Sequence, residues 1–415
     1  MFIISLFLTL YFSSGQFVSA DSGYIWPISP QSAPHPLGNN WGNFQNYGGS
    51  SYFHNGIDII TPGQQGVPVY AVAKGWVKAW LTIEADYHWR LAICDSNLNY
   101  TGRAPGWLYA HIDPRRPHKE EGDSVLPGEV IGYLVPWPVS GFDHIHFARI
   151  SDTGRLWRRS NPSRPTWWFI QNPLTLIYPN TDTVSPTFEN ARPGQKFAFC
   201  RNNSSTYLDP MNLSGDVDII AKIYDKTGWS TGNSTWDKLA PYKIEYSITG
   251  MNRVIPQTLS LIFKYTLPPS GTQDIRAVYK EDATCRSRGD YNNRDYYFII
   301  TNTDGDSIIE IADTSGKWST QNFPDGNYWV KVFAYDVAGN WAVESMEVRT
   351  NNGVGIGEEK EPKSRIPSHS RTETSNRILI YDALGRKTEK MDKKGIFFIM
   401  EKGGFKKSIV IKDKK

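Results

Sequence analysis

Val67-Pro68-Val69-Tyr70-Ala71-Val72-Ala73, Gly75-Trp76-Val77-Lys78-Ala79-Trp80 and Leu91-Ala92-Ile93 are short apolar runs set among Gly, Pro and Asn. Runs this short, interrupted this often, read as strands joined by turns. Further along, Gly215-Asp216-Val217-Asp218-Ile219-Ile220-Ala221-Lys222-Ile223-Tyr224-Asp225 and Tyr242-Lys243-Ile244-Glu245-Tyr246-Ser247-Ile248 alternate apolar with polar. That period of two is the mark of strands with one face buried. The 35 glycines and 26 prolines among 415 residues, with no long stretch of helix formers, point the same way. The expected fold class is all-β: an antiparallel sheet core, then a β-sandwich, then a small C-terminal β module.

The chain divides by pattern. Met1–Phe12 is almost wholly apolar and ends in Ser13-Ser14-Gly15, with Val18-Ser19-Ala20 offering small residues for cleavage. Residues 1–20 therefore read as a signal peptide, although no Lys or Arg precedes the apolar run. The run is too short to span a bilayer, and no transmembrane helix is expected elsewhere. Residues 21–180 form the first unit. Residues 181–352 form the second, closing on Gly326-Asn327-Tyr328 and Asp336-Val337-Ala338-Gly339-Asn340, an ending that resembles bacterial immunoglobulin-like or fibronectin-like modules. Its length suggests one sandwich carrying a large insertion, or else two small modules. Residues 353–376 lack apolar periodicity and read as a solvated linker. Residues 377–415 regain strands: Arg377-Ile378-Leu379-Ile380-Tyr381-Asp382, Gly385-Arg386, Gly395-Ile396-Phe397-Phe398 and a lysine-rich end. They resemble the C-terminal sorting domains of the type IX secretion pathway. The resemblance implies that this machinery is a partner and that the protein is secreted or held at the cell surface.

A net charge of +3 leaves no electrostatic case for nucleic acid as a partner. The three cysteines, Cys94, Cys200 and Cys285, are no disulfide framework. Cys200 and Cys285 could pair, leaving Cys94 free, and none has a catalytic role. A monomer is expected.

The chemistry gathers around histidines. His54-Asn55-Gly56-Ile57-Asp58 places an imidazole and a carboxylate four residues apart, both ordinary zinc donors. Asp143-His144-Ile145-His146-Phe147 places two imidazoles on one face of a strand. One can bind a metal while its neighbour faces the metal-bound water, and two buried histidines without a metal or carboxylate would be costly. Exposed histidines on a surface strand are the plainer alternative. Leu108-Tyr109-Ala110-His111-Ile112 adds a single histidine at an expected strand end.

Taken in order, these segments resemble the lysostaphin-type (LytM-like) zinc metallopeptidases. That family carries His-x-Gly-x-Asp, Gly-x-Pro-Val-x-Ala, Tyr-x-His-Leu, Gly-x-x-Ile-Gly and His-x-His-Phe. Here they are His54–Asp58, Gly66–Ala71, Tyr109-Ala110-His111-Ile112, Gly128-Glu129-Val130-Ile131-Gly132 and His144–Phe147. The likeness covers residues 50–150. It implies one Zn2+ per chain held by His54, Asp58 and His146, with an open position for water. His111 and His144 then act as proton carrier and oxyanion stabiliser in an undecided order. It also implies an endopeptidase acting on peptidoglycan peptides. A non-catalytic wall-binding or hydrolase-activating module, and a secreted peptidase of proteins, are the alternatives. The sequence departs from the family before and after the His-x-His. Val139-Ser140-Gly141-Phe142-Asp143 replaces a Ser-Thr-Gly-Pro stretch, Ala148 stands where Glu is common, and Pro136-Trp137-Pro138 replaces small residues. No ligand is lost, but the cleft walls must differ. His35, His88, His118 and His369 match nothing and are expected at the surface.

Overall fold

The structure is a computed structural model and describes residues 23–61, 66–82, 85–157, 167–250, 253–268 and 273–353. Beyond these it describes the backbone of strands Leu379–Asp382, Lys387–Thr388, Gly395–Glu401 and Gly404–Val410. The expected signal peptide lies outside the described residues, as does nearly all of the expected linker. Among the described residues no helix is long and apolar enough to cross a membrane. The fold is all-β. Its described helical segments are 3-10 turns of at most five residues. The chain forms two compact units, Met1–Ile356 and Gly357–Lys415. The second is a four-stranded antiparallel sheet in the order 387–388, 379–382, 395–401, 404–410.

An eight-stranded sheet dominates the first part of the larger unit. Its order is Leu37–Asn39, Ile57–Ile60, His144–Asp152, Ala104–Ala110, Arg90–Cys94, Gly75–Leu81 and Ser124–Val125, with Trp168–Gln171 pairing beside the far end of His144–Asp152. Alternation decides what each face carries. Ile57, Ile59, Leu91, Ile93, Trp107, Tyr109, Ile145 and Phe147 point into one core. A second sheet, Pro68–Tyr70, Val130–Leu134 and Ile112–Asp113, closes that core with Val69, Ile131 and Ile112. The Tyr109 hydroxyl accepts the Val72 N–H at 2.9 Å across the layer. Tyr109 is fully buried, so its hydroxyl needs such a partner. The opposite face of the large sheet carries Asp58, His144 and His146.

The second part is two facing antiparallel sheets. Asp216–Tyr224 lies at the centre of one, paired with Thr187–Glu189, Phe197–Arg201, Tyr297–Ile299 and Trp318–Ser319. The other runs Val254–Ile262, Lys243–Gly250, Gly326–Tyr335, Trp341–Thr350. Val217, Ile219, Ala221 and Ile223 meet Ile244, Ile248, Val330, Val332 and Ala334 in one core, as their alternation requires. Trp41, Phe44 and Phe53 belong to this same core. The segment around residues 40–53 thus leaves the first sheet and buries residues 40–45 and Phe53 against the second part, while Gly48, Gly49 and Ser50 stay exposed. Gly289 approaches so closely that an added Cβ would lie 1.7 Å from the Phe44 carbonyl oxygen.

Cys200 and Cys285 share a small buried cluster with Ala191, Ala198 and Ile220. All three cysteines are buried thiols without disulfides. His35 is not at the surface. It is 8% exposed, with its ring edge-on to Trp26 at 5.3 Å. The flanking Pro34 and Pro36 suggest a loop in water, yet the loop tucks inward. His118 is exposed as expected, and His369 lies outside the described residues.

Candidate metal centre

Strand pairing builds the site. His144–Asp152 runs antiparallel to Ile57–Ile60 with His146 directly opposite Asp58. Directly paired residues have side chains on the same face of a sheet. The carboxylate and the imidazole are therefore brought together by register alone. On its other side His146 pairs with Ala110, so the next residue, His111, leaves the sheet edge beside the same face.

His54 arrives from the loop before Ile57. Its backbone is strapped to the 42–43 segment by Gly42 N–H to His54 O and His54 N–H to Asn43 O, both 2.8 Å. The His54 Nδ1–H donates to the Asn40 carbonyl at 3.1 Å, because a carbonyl only accepts. That leaves Nε2 as a bare donor to a metal. The Asp58 Oδ2 accepts the Asn39 amide at 2.6 Å, which turns Oδ1 toward the histidines. Asn39 and Asn40 thereby orient two candidate ligands at once, the kind of outer support found around metal sites.

The three inner atoms form a small triangle. His54 Nε2 lies 3.1 Å from Asp58 Oδ1 and 3.1 Å from His146 Nδ1, and His146 Nδ1 lies 3.0 Å from Asp58 Oδ1. Tetrahedral zinc with bonds of 2.0–2.1 Å would separate its donors by about 3.3 Å. The donor set, two imidazoles and a carboxylate, and its spacing both fit zinc with only a slight outward shift. Three protein donors leave a fourth position free, as in catalytic zinc sites. Gly56 makes the approach possible: a Cβ there would lie 2.6 Å from both Nε2 and Cε1 of His146.

His144 and His111 stand beside the triangle. The His144 Nδ1–H donates to the Phe142 carbonyl at 2.7 Å, and its Nε2 faces Asp58 Oδ1 at 3.6 Å. The His111 Nδ1–H donates to the Tyr87 carbonyl. The His111 and His144 rings are 4.7 Å apart between centroids. His111 also has φ of 65°, in the left-handed region that non-glycine residues seldom use. Such backbone costs about 1–3 kcal/mol and persists only where its surroundings enforce it. Here His111 N–H donates to the Trp89 carbonyl and its own carbonyl accepts from Val135 N–H.

Electrostatics favour neutral imidazoles. Burial lowers His146 to about 4 against hydrogen bonding and charge attraction from Asp58. Burial, and then the proximity of His144 and His146, hold His111 well below its ordinary value. Burial likewise lowers His144. For Asp58, burial pushes the carboxyl up, but His54, His144 and His146 together outweigh it and keep it well below the carboxylate range. At neutral pH His111, His144 and His146 thus present unprotonated nitrogens beside an ionised Asp58, the states that suit a metal site.

All five residues line one open cleft of about 430 Å³. Its walls include residues without a motif in the sequence. Tyr47 and Tyr291 pack at 4.6 Å, and the Tyr291 hydroxyl accepts the Trp137 indole N–H at 2.9 Å. Trp137 sits against His111 and His144 at 4.5 and 4.7 Å. Tyr291 comes from far along the chain, in the second part of the unit. Only Trp137, in the unusual Pro-Trp-Pro, carries a signal in the sequence.

No family model and no curated protein matches this sequence. Solved structures resemble parts of it. A zinc-containing peptidase from Vibrio cholerae is 21% identical over 35% of this chain and 39% of its own, with a TM-score of 0.25. The catalytic domain of the prophage-encoded M23 protein EnpA from Enterococcus faecalis, as a point mutant, is 21% identical over 32% of this chain and 98% of its own, at 0.22. Lysostaphin from Staphylococcus simulans, an antimicrobial peptidase, is 14% identical over 59% of this chain and all of its own, at 0.26. The chain spans little more than a third of the Vibrio cholerae peptidase. Likeness at these scores carries no weight for function, which has to be read from the site itself.

Proposed function

We propose that this chain is a zinc metalloendopeptidase cutting peptide bonds, with peptidoglycan stems or cross-links as substrate. The observation that carries the reading is the donor triangle of His54, Asp58 and His146, with the two neutral imidazoles of His111 and His144 beside it. Zinc held there would polarise a scissile carbonyl and lower the pKa of a water toward 7.

The chain's own groups supply the rest. In both His111 and His144 the Nδ1–H is committed to a backbone carbonyl, so Nε2 is free to accept a proton. His144 is buried and His111 half-buried at the cleft wall, and both are neutral, so either can take up a proton. After uptake, the same N–H can donate to the oxygen of a tetrahedral intermediate or to the leaving amine. Which imidazole takes which part is decided by substrate placement. Trp137 packs against both and fixes their orientation. The motif order over residues 50–150 supports peptidoglycan as the substrate class.

The protein is proposed to work outside the cytoplasm, delivered by residues 1–20 and sorted by residues 377–415. The test is digestion of purified peptidoglycan by the zinc-loaded chain, with mapping of new amine ends. New ends with wild type and at least ~100-fold slower release with His144→Ala support the reading. No new ends on any cell wall from zinc-bound protein would favour a non-catalytic or protein-directed role.

A further inference from the structure

A second group of carboxylates lies away from the histidine cleft. Asp182 belongs to the segment leading into the sandwich, Asp225 follows strand Asp216–Tyr224, and Asp336 follows strand Gly326–Tyr335. More than a hundred residues separate Asp225 from Asp336, yet one oxygen from each of the three lies within 4.8 Å of the others. Their exposures are 8, 4 and 5%.

All three are partly satisfied by neutral donors, Asp225 by the Lys226 backbone N–H. Asp336 Oδ1 accepts from the N–H groups of Gly339 and Asn340, and its Oδ2 accepts the Asn340 amide at 2.6 Å. Asp182 Oδ1 accepts from Val184 N–H at 2.9 Å. Asp225 is different, because its Oδ1 is fully buried and has no hydrogen-bond partner. The strongest charges acting on Asp225 are the other two carboxylates. Burial then raises all three carboxyls, Asp182 to about 6. A buried polar atom without a partner is rare and calls for a ligand, an ion or a water. The three side chains also share a cavity of about 20 Å³, room for a single water or ion.

We propose that Asp182, Asp225 and Asp336 form a hard-cation site, sized for Ca2+, in which the orphaned Asp225 Oδ1 and one oxygen from each partner bind the ion. Oxygen-only donors select hard divalent cations over zinc or copper. The three oxygens lie within 4.8 Å of one another, and the longer bonds of calcium, about 2.3–2.6 Å in flexible geometry, suit such a loose set better than the near-ideal octahedron of magnesium with bonds of about 2.0–2.1 Å. The ion would tie the entry to the sandwich to the ends of one strand from each of its sheets. Trp26 and Leu174 of the first part line the same cavity. The ion therefore also pins the sandwich against the peptidase-like part, independently of zinc and catalysis.

The test is calorimetric titration of the full zinc-loaded chain with CaCl2, repeated with Asp225→Asn, which keeps the shape and removes the charge. Wild type should take up one Ca2+ per chain with affinity of about millimolar or tighter. Its melting temperature should rise with Ca2+. Asp225→Asn should bind at least ~100-fold more weakly and melt independently of Ca2+, having lost a charged ligand. Because Trp26 and Trp229 line the cavity, bound Tb3+ should show tryptophan-sensitised emission that Ca2+ displaces. A wild type that takes up no Ca2+ at several millimolar and gives no Tb3+ emission would overturn the proposal. So would Asp225→Asn and Asp182→Asn chains that fold and still bind as wild type. Either result would mean that protons or a water satisfy the cluster.

Discussion

Gly56 is where a single atom decides the metal centre. A methyl group there would lie 2.6 Å from the His146 ring, so Gly56→Ala should push the imidazole out of the triangle. Zinc affinity should fall at least ~10-fold, read by competition with a chromogenic chelator, and stability should fall as well, because the same methyl would lie 2.9 Å from the Phe147 backbone carbonyl oxygen. Asn39 tests the outer support. Asn39→Ala frees Asp58 Oδ2 and should cost about 10–100-fold in zinc affinity. His144→Ala should keep zinc and lose about 10²–10⁴ in kcat, as expected for a proton carrier. If the variant keeps full activity, His111 does the proton work alone. At this scale the residues of the candidate site are legible because donor type and spacing are written locally in His54–Asp58 and His144–His146, and the structure brings His54, Asp58 and His146 together. Asn39 and Asn40 are not, since an amide that orients a ligand leaves no spacing signature. His35 departs from its expected surface position because its burial comes from a loop turning inward, which no periodicity records.

The element that matters most is strand His144–Asp152. Its period of two sends His144 and His146 to the cleft and Ile145 and Phe147 to the core. Phe147 is fully buried, stacked on Trp107 at 4.9 Å. Phe147→Ala should destabilise the chain by about 3–5 kcal/mol, seen as a lower denaturant midpoint. Pairing of His146 with Asp58 is equally a property of the element: a slip of this strand by one residue would turn His144 and His146 to the core face and away from Asp58. The alternation is legible in the residues themselves. The strand order is not, because residues 57–60 and 144–152 are neighbours only through long-range pairing. The path of residues 40–53 is hidden for a similar reason. Trp41, Phe44 and Phe53 are apolar wherever they pack, and sequence does not say into which core. The meeting of Asp182, Asp225 and Asp336 is likewise invisible along the chain.

Across the whole molecule, burial of neutral histidines ties stability to pH. His111, His144 and His146 have folded values below the ordinary 6.5, and Asp58 lies below its ordinary 3.8. The unfolded chain therefore binds more protons than the folded one as the solution becomes acid. Stability from the histidines is fully present above about pH 6.5 and declines as pH falls toward about 4, the folded value of His146. The Asp58 share is lost at still lower pH. Thermal melts of the metal-free chain should thus show a falling Tm between about pH 6.5 and 4, a fall that zinc pushes to lower pH. The second part of the unit also reaches the cleft through Tyr291, so activity should be measured on the full chain and not on residues 21–180 alone. The most direct check on the central claim is the zinc content of the purified full-length chain after dialysis, compared with His146→Ala. About one zinc per chain in the wild type and almost none in the variant is the expected result. A wild-type chain that stays metal-free in excess zinc, or a His146→Ala chain that retains the metal in full, would contradict it.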